Sequence, residues 1–345
     1  MFRIVSAIAF ALSLLLALPV LGDGHEATIA DIVVASAEAD MPEFTTLLAA
    51  VSAADASILE ALADADAELT VFAPTDAAFS ALAEALGEEA FDEILSEAGT
   101  PRLNEILLHH VVGGLVGSAD VAAALSGAAA DDMGQVSIPV VTLSGQTLDI
   151  AGAIGEDGLD LAAGITVAEA NLVLDMVDIE ASNGVIHVID AVIVPELRTI
   201  ADIVAELAGA DEPEFTTLLT AVGAADPAVL ALLADPAAAV TVFAPLDAAF
   251  AAVEGLDDIV ADQALLTAVL QYHVFPGTVY SFQLGSLVDD MGQAAVAMAN
   301  GSEAAIAVSD MGVMIDDANI VLELVDIEAS NGVIHVIDAV IVPSA

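Results

Sequence analysis

Cysteine is absent from all 345 residues. That removes disulfide bridges, thiolate metal ligands and lipid attachment through a terminal cysteine together. Tryptophan is also missing and tyrosine occurs only twice, so the chain has no aromatic platform for stacking on sugars. Lysine does not occur, and three arginines face 54 Asp plus Glu for a net charge of −51. Binding to nucleic acid or to an anionic membrane surface needs cations that displace counterions, so both partner classes are excluded. A hydrophobic content of 58% argues against the disorder that such a charge would otherwise signal. The acidic side chains therefore read as the solvated exterior of a folded protein suited to saline surroundings. A surface that binds multivalent cations is compatible with the same composition.

The first 22 residues differ from the rest. Arg3 is the one positive charge near the start, Ile4 to Leu21 is almost wholly apolar, and Val20-Leu-Gly22 supplies small residues. This reads as a secretory signal, residues 1–22, cleaved near Gly22. A retained anchor is the alternative, because about 18 apolar residues is the lower limit for a spanning helix. No later run is long enough to span. The expected location is secreted, extracellular or periplasmic, with the folded part held by its core alone.

One stretch occurs twice. Val177-Asp-Ile-Glu-Ala-Ser-Asn-Gly-Val-Ile-His-Val-Ile-Asp-Ala-Val-Ile-Val-Pro195 returns unchanged as Val325 to Pro343. Asn183-Gly184 and Asn331-Gly332 separate β-branched runs, which predicts a hairpin with the turn at Asn-Gly. Val185 to Val194 is apolar at both alternating sets of positions except at His187 and Asp190 (His335 and Asp338 in the second copy). It is expected to be a central strand covered on both faces. Upstream, Leu69-Thr-Val-Phe-Ala-Pro-Thr-Asp-Ala-Ala-Phe79 matches Val240-Thr-Val-Phe-Ala-Pro-Leu-Asp-Ala-Ala-Phe250. A short strand running into Pro74 or Pro245 is predicted, with Asp76 or Asp247 capping the helix that follows.

Taken in order, T-V-F-A-P-x-D-x-A-F, x-H-V and N-G-V-I-H-V-I-D-x-V-I-V-P resemble the fasciclin (FAS1) domain family in both halves. The resemblance implies an α+β fold, two tandem FAS1 domains, each a compact β-sandwich or wedge with helices packed against it. The expected boundaries are 28–195 and 200–343, with 196–199 as linker. The first copy is longer by 23 residues, the difference between offsets of 171 at Phe79 and Phe250 and 148 at Gly184 and Gly332. Loops are expected to absorb that length.

Helical spacing predicts helices over 28–37, with Thr28 as a cap, and over 44–53, 57–63, 77–86, 88–97, 102–109 and 119–125. Strands are expected at 69–73, 110–112 and 115–118, and from 136 onward the chain reads as strand. Helices at 200–207, 215–223 and 228–233 and a strand at 240–244 repeat the order. Helices first and strands last fit an α+β unit rather than alternating β-α-β units.

Four of the six histidines fall at repeated positions. His187 and His335 read as buried imidazoles bonded to main chain. A Ser182-His187-Asp190 triad fails because residues three apart on a strand point to opposite faces. His110 and His273 read as locks on a helix-to-strand turn. Tyr272-His273 matches a family motif that the resemblance associates with adhesion in animal members, and the first copy has His109-His110 instead. Those four residues are the interaction candidates. Adjacent histidines without a third ligand do not make a metal site. Gly155-Glu-Asp-Gly-Leu-Asp160 is calcium-like in composition only, lacking the EF-hand spacing, so weak calcium binding is the most it suggests.

No cofactor is expected, and no enzyme activity. The resemblance implies adhesion to a cell-surface or matrix protein or polysaccharide. Its alternative, a carotenoid-like apolar ligand held by some family members, would need a cleft lined by alanine, valine and Met291, Met298, Met311 and Met314. The screening length shrinks from about 30 Å at 0.01 M salt to about 3 Å at 1 M, so self-repulsion among the carboxylates fades over that range. The melting temperature should rise steadily across it in sodium chloride; a melting temperature flat in salt would show that the carboxylates are dispersed or already paired.

Overall fold

The first helix opens on a capping box. Thr28 Oγ1 accepts the Asp31 N–H at 3.3 Å, while Asp31 Oδ2 accepts the Thr28 N–H at 3.0 Å. The structure, a computed structural model, describes residues 27–343 apart from 40–41, 97–98, 132, 156–157, 161–162, 212, 290 and 310–311. The signal expected over 1–22 lies outside the described residues. Two compact units divide between Pro195 and Glu196.

In the first unit, helices α1 (Ile29–Ala37), α2 (Thr45–Ala53) and α3 (Ala56–Ala63) precede strand β1 (Leu69–Pro74). Helices α4 (Asp76–Leu86), α5 (Glu88–Ile94) and α6 (Thr100–His109) follow, then β2 (Val111–Gly113) and α7 (Ser118–Gly127). The remainder is β3 (Gln135–Val141), β4 (Thr147–Gly155), β5 (Gly158–Leu159), β6 (Ile165–Val167), β7 (Ala170–Asn171), β8 (Ile179–Ala181) and β9 (Gly184–Ile189).

The second unit repeats the plan. It begins with α8 (Ile200–Ala208), α9 (Thr216–Ala224), α10 (Pro227–Leu233), β10 (Val240–Pro245), α11 (Asp247–Ala251), α12 (Leu256–Ala261) and α13 (Gln263–Tyr272). It ends with β11 (Val274–Pro276), α14 (Ser281–Leu287), β12 (Gln293–Ala297), β13 (Glu303–Ser309), β14 (Gly312–Ile315), β15 (Ala318–Asn319), β16 (Ile327–Ala329) and β17 (Gly332–Ile337).

Each unit holds two sheets. In the first, the order is β2-β1-β9-β8 beside β3-β4-β6-β7, with β5 on β4. In the second it is β11-β10-β17-β16 beside β12-β13-β14-β15. Strand β9 lies between a parallel neighbour, β1, and an antiparallel one, β8, and all six of its residues are buried. The alternation of a strand explains why both faces need apolar side chains. Ile186 and Val188 face the helices together with Val71 and Ala73. Ile189, with Phe72, faces the second sheet through Val136, Leu148, Ile150 and Val167. The result is α+β in each of two tandem units, two packed sheets with most of the helices against the outer face of one; α7 packs instead with the second sheet through Val121 and Leu125.

Several expectations need correction. The turn between β8 and β9 is Ser182-Asn183, because Ala181 pairs with Gly184, so Gly184 is the first strand residue and not a turn residue. The central strand stops at Ile189 rather than Val194. Past it the Asp190 carboxylate takes the Asn171 N–H and the Ile193 N–H goes to a histidine ring, so the ladder has nothing to continue with. Residues 115–118 form no strand. The Val116 N–H donates to Thr70 Oγ1 at 2.9 Å and its carbonyl bonds His187, so side chains take the place of a neighbouring strand. The extra length of the first copy is only partly loop. It sits in α4, which runs from Asp76 to Leu86 where α11 stops at Ala251, and in the longer β3–β4 arm with β5.

Glycine is required at the start of β9 and β17 for want of space. A Cβ on Gly184 would meet the Leu69 carbonyl oxygen at 2.3 Å, and one on Gly332 would meet that of Val240 at 1.8 Å. Gly332 also has φ 144°. Gly184→Val and Gly332→Val should each destabilise by on the order of 1–3 kcal/mol, with Gly332 the costlier. Gly223→Ala in α9, where a Cβ meets nothing within 4 Å, should instead stabilise by about 0.5–1 kcal/mol. Denaturant melts decide it: losses under about 0.5 kcal/mol at both strand glycines, the range of featureless surface changes, would exclude the close approach.

Candidate functional site

The repeated polar residues converge on four internal networks, the same in both units. The first is built on Asn183, 2% exposed at the β8–β9 turn. Its Oδ1 accepts the Ile29 N–H at 2.9 Å, and its Nδ2 donates to the carbonyls of Leu62 and Asp64, each at 2.9 Å. Those groups are unpaired helix ends, an N–H at the start of α1 and carbonyls at the end of α3, which would otherwise be costly to bury. Asn331 does the same for Ile200, Leu233 and Asp235 at 2.9, 2.9 and 3.1 Å.

The second network is the strand histidine. His187 Nδ1 accepts the Asp178 N–H at 3.2 Å, which requires the proton on Nε2, and Nε2 donates to the Val116 carbonyl at 2.8 Å. Both nitrogens are spent on main chain, so neither can take a proton from a serine. Asp190 meanwhile holds the Asn171 N–H and side-chain amide at 2.7 and 2.9 Å, and Asp338 holds Asn319 at 2.8 Å twice. His187 and Asp190 therefore have separate duties. His335 repeats the ring geometry with Asp326 and Val279. Burial lowers its pKa, opposed by the Val279 carbonyl and the Asp326 carboxylate. Asp178 and Asp326 sit at φ 54°, and their carboxylates accept the Ser118 and Ser281 N–H groups at 2.7 Å, as caps for α7 and α14.

The third network closes the helix before β2. His110 Nδ1 donates to the Ile106 carbonyl at 2.7 Å and Nε2 accepts the Ile193 N–H at 3.0 Å. His273 makes the matching pair with Val269 and Ile341 at 2.8 and 3.1 Å. Burial pushes both imidazoles down from 6.5 to about 4, against the smaller raising effect of the carbonyl bond. His109 is lowered further, to about 3, by burial and then by the charge of His110. Its Nδ1 lies 3.3 Å from Thr142 Oγ1 and 3.1 Å from Ser144 Oγ. Tyr272, at the matching place, donates to the Glu303 carbonyl and to Asp316 Oδ2 at 2.9 and 2.8 Å. Burial and Asp316 raise its pKa to about 12.

This corrects the expectation that Tyr272, His273, His109 and His110 offer contacts to a partner. Their exposures are 3–4%, so all four face the core. Among the described residues no group of three or more His, Asp and Glu is arranged to hold a metal ion.

The fourth network corrects the capping role of Asp76. Its own helix is capped by Thr75, whose hydroxyl accepts the Ala78 N–H at 3.1 Å. Asp76 reaches instead to α2. Phe44 stands at the N-cap there with φ 65° and a buried ring that cannot cap. Asp76 accepts the Thr45 N–H at 3.2 Å, the Thr46 N–H at 2.8 Å and the Thr45 hydroxyl at 2.7 Å. Asp247 does likewise for Thr216 and Thr217 at 3.2, 2.8 and 2.6 Å. Burial would raise both carboxyls, but these hydrogen bonds outweigh it and hold them below the usual range. Pro74 and Pro245 close β1 and β10 opposite Ile189 and Ile337.

Sequence reasoning missed Thr70, Thr241, Asp178 and Asp326. Their side-chain partners lie 36–60 positions away, and the available signal was recurrence in both copies. The cleft for a carotenoid-like ligand does not form from the methionines proposed to line it. Met298 is 2% exposed inside the core, Met291 is 78% exposed in water, and Met311 lies outside the described residues. Apolar cavities lie among α9, α11, α12 and α13 and among α1, α2, α3 and α6, with volumes of about 70 and 40 Å³. Ligand pockets run to roughly 300–1,000 Å³. A wider depression of about 440 Å³ is lined by Glu196, Arg198, Glu206 and Glu328 together with Ile203, Leu207 and Ile327, so charged groups make up four of its seven lining residues.

The fasciclin domain model matches residues 42–195 and 213–343. Two proteins of Synechocystis sp. are similar. Protein sll1483 is 39% identical over 145 residues, 41% of this chain and 73% of that one. The uncharacterized protein sll1735 is 37% identical over 140 residues, 40% of this chain and 96% of that one. Human periostin is 32% identical over 205 residues, 59% of this chain but 21% of periostin. Among solved structures, the FAS1 domain pair from the insect cell adhesion molecule Fasciclin I matches over 86% of this chain and 96% of that one, with 15% identity and a TM-score of 0.37.

The buried imidazoles fix a pH dependence. Their folded pKa of about 4 lies below the ordinary 6.5, so between those values the unfolded chain binds protons that the folded chain refuses. Stability should be full above about pH 6.5, fall as pH drops toward 4, and gain no further loss from these groups below it. Unfolding near pH 5 should take up about one proton per buried imidazole. Melts in buffers of different ionisation enthalpy measure that uptake, and no uptake at pH 5 would overturn the assignment.

Proposed function

We propose that this chain, which belongs to the fasciclin domain family, is a non-catalytic, exported adhesion protein. Fasciclin domains are typical of adhesion and extracellular proteins. On this reading residues 28–195 and 200–343 are two binding modules joined by 196–199, and the partner is a cell-surface or matrix protein or polysaccharide. The observation that carries it is the inward commitment of the repeated histidines, asparagines and aspartates. With those groups spent on main chain, the acidic exterior is what each module presents. Of the 54 carboxylates set against three arginines, few can find a cation within the chain. A partner must therefore bring positive charge or share bound cations. No helix of the described residues is long and apolar enough to cross a membrane.

The full chain bound to beads, offered native cells or their matrix polysaccharide, should adhere, and adhesion should weaken with sodium chloride. About 1 mM calcium, the range of extracellular modules, should strengthen it and chelation reverse the gain. Each of 28–195 and 200–343 should melt cooperatively alone. Beads that adhere no better than beads carrying an unrelated acidic protein would end the adhesion reading. A half that melts without cooperativity would end the modular one.

A further inference from the structure

Met133 and Met291 occupy the same place in the two units, in the turn before β3 and before β12. Both turns read Asp-Asp-Met-Gly-Gln. The first Asp organises each one. Asp131 Oδ1 accepts the N–H of Met133 and of Gln135 at 2.8 Å, and Asp289 Oδ1 accepts those of Met291 and Gln293 at 2.8 and 3.1 Å. Gly134 and Gly292 complete the turn at φ 76° and 72°. The fold thus has a use for the aspartate and the glycine. It has none for the methionine side chain, which is 82% exposed at Met133 and 78% at Met291. The other described methionines are sheltered: Met298 is 2% exposed, and Met176 and Met314 are half-buried.

The chain has neither cysteine nor tryptophan, so the thioether is its most readily oxidised side chain, and access decides which thioether reacts first. We propose that Met133 and Met291 are a paired oxidation site that takes oxygen from hydroperoxides while the core is spared. The sulfur lone pair attacks one peroxide oxygen. An S–O bond forms as the O–O bond breaks, sulfur gives up two electrons, and the other oxygen leaves as water or an alcohol, taking through solvent the proton that the sulfur-bound oxygen gives up. The sulfoxide is polar and hydrates freely at an exposed turn. At Met298 the same change would place a polar group among apolar neighbours. The turn itself is held by main-chain N–H groups and an aspartate, none of which oxidation touches.

The test treats the full chain with hydrogen peroxide and follows each methionine by mass spectrometry of peptides cut at acidic residues. Among the described methionines, Met133 and Met291 should gain one oxygen first and at similar rates, ahead of Met176 and Met314 and at least about tenfold faster than Met298. The melting temperature should be unchanged when both are converted. The double variant Met133→Leu with Met291→Leu should lose the fast phase and keep the melting temperature. Equal rates at Met298, a fast phase at only one of the pair, or a melting temperature that drops as the pair oxidises would each overturn the proposal.

Discussion

The carboxamide of one buried asparagine per unit is what the rest of the structure leans on. Asn183 joins the start of α1, the end of α3 and the first residue of the central strand, and its main-chain carbonyl accepts the Leu69 N–H at 3.1 Å. Its side-chain partners lie 154 and 121 positions away. An apolar residue of similar size would leave one N–H and two carbonyls buried without partners, a larger penalty than any single methylene of packing. Register follows from it. With the turn fixed, β9 can enter beside β1 in one alignment, and Phe72 comes opposite His187, whose ring lies 5.8 Å from that of Phe72.

The same economy explains why polar residues that look chemical are bonded to main chain instead. A sheet packed on both faces leaves little room for water, so loops that pass over it must find their hydrogen bonds in side chains. His187 serves Val116 and Asp178, Thr70 serves Val116, and His110 serves Ile193. Each satisfies a stretch that has no neighbouring strand. In a chain without disulfides, these long-range bonds between irregular segments do part of the fastening.

What was legible in the sequence had a local cause. The cap at Thr28, the helices over α1 to α3 and the two-faced burial of β9 follow from spacing within a few residues. The inner sandwich was legible only by resemblance. What was not legible depends on residues far apart. Nothing near Asp76 says that it caps α2, thirty positions earlier, because Thr75 fills the local role. The end of β9 at Ile189 is set by Asn171 and His110, not by its own apolar run, and the need for Gly184 is set by the carbonyl of Leu69. The burial of Tyr272 and His109 was likewise hidden, since a helix end is usually wet.

The parallel pairing of β1 with β9 has a kinetic side. Leu69 pairs with Gly184, 115 positions later, and every helix of the first unit that packs on that sheet comes before β9. Strand pairing across so long a loop carries a high contact order and a late, entropically demanding closure. Until the final strand arrives, Ile186 and Val188 are missing from the face on which the helices pack. Completing that face is therefore the step on which the closing of the first unit's core depends.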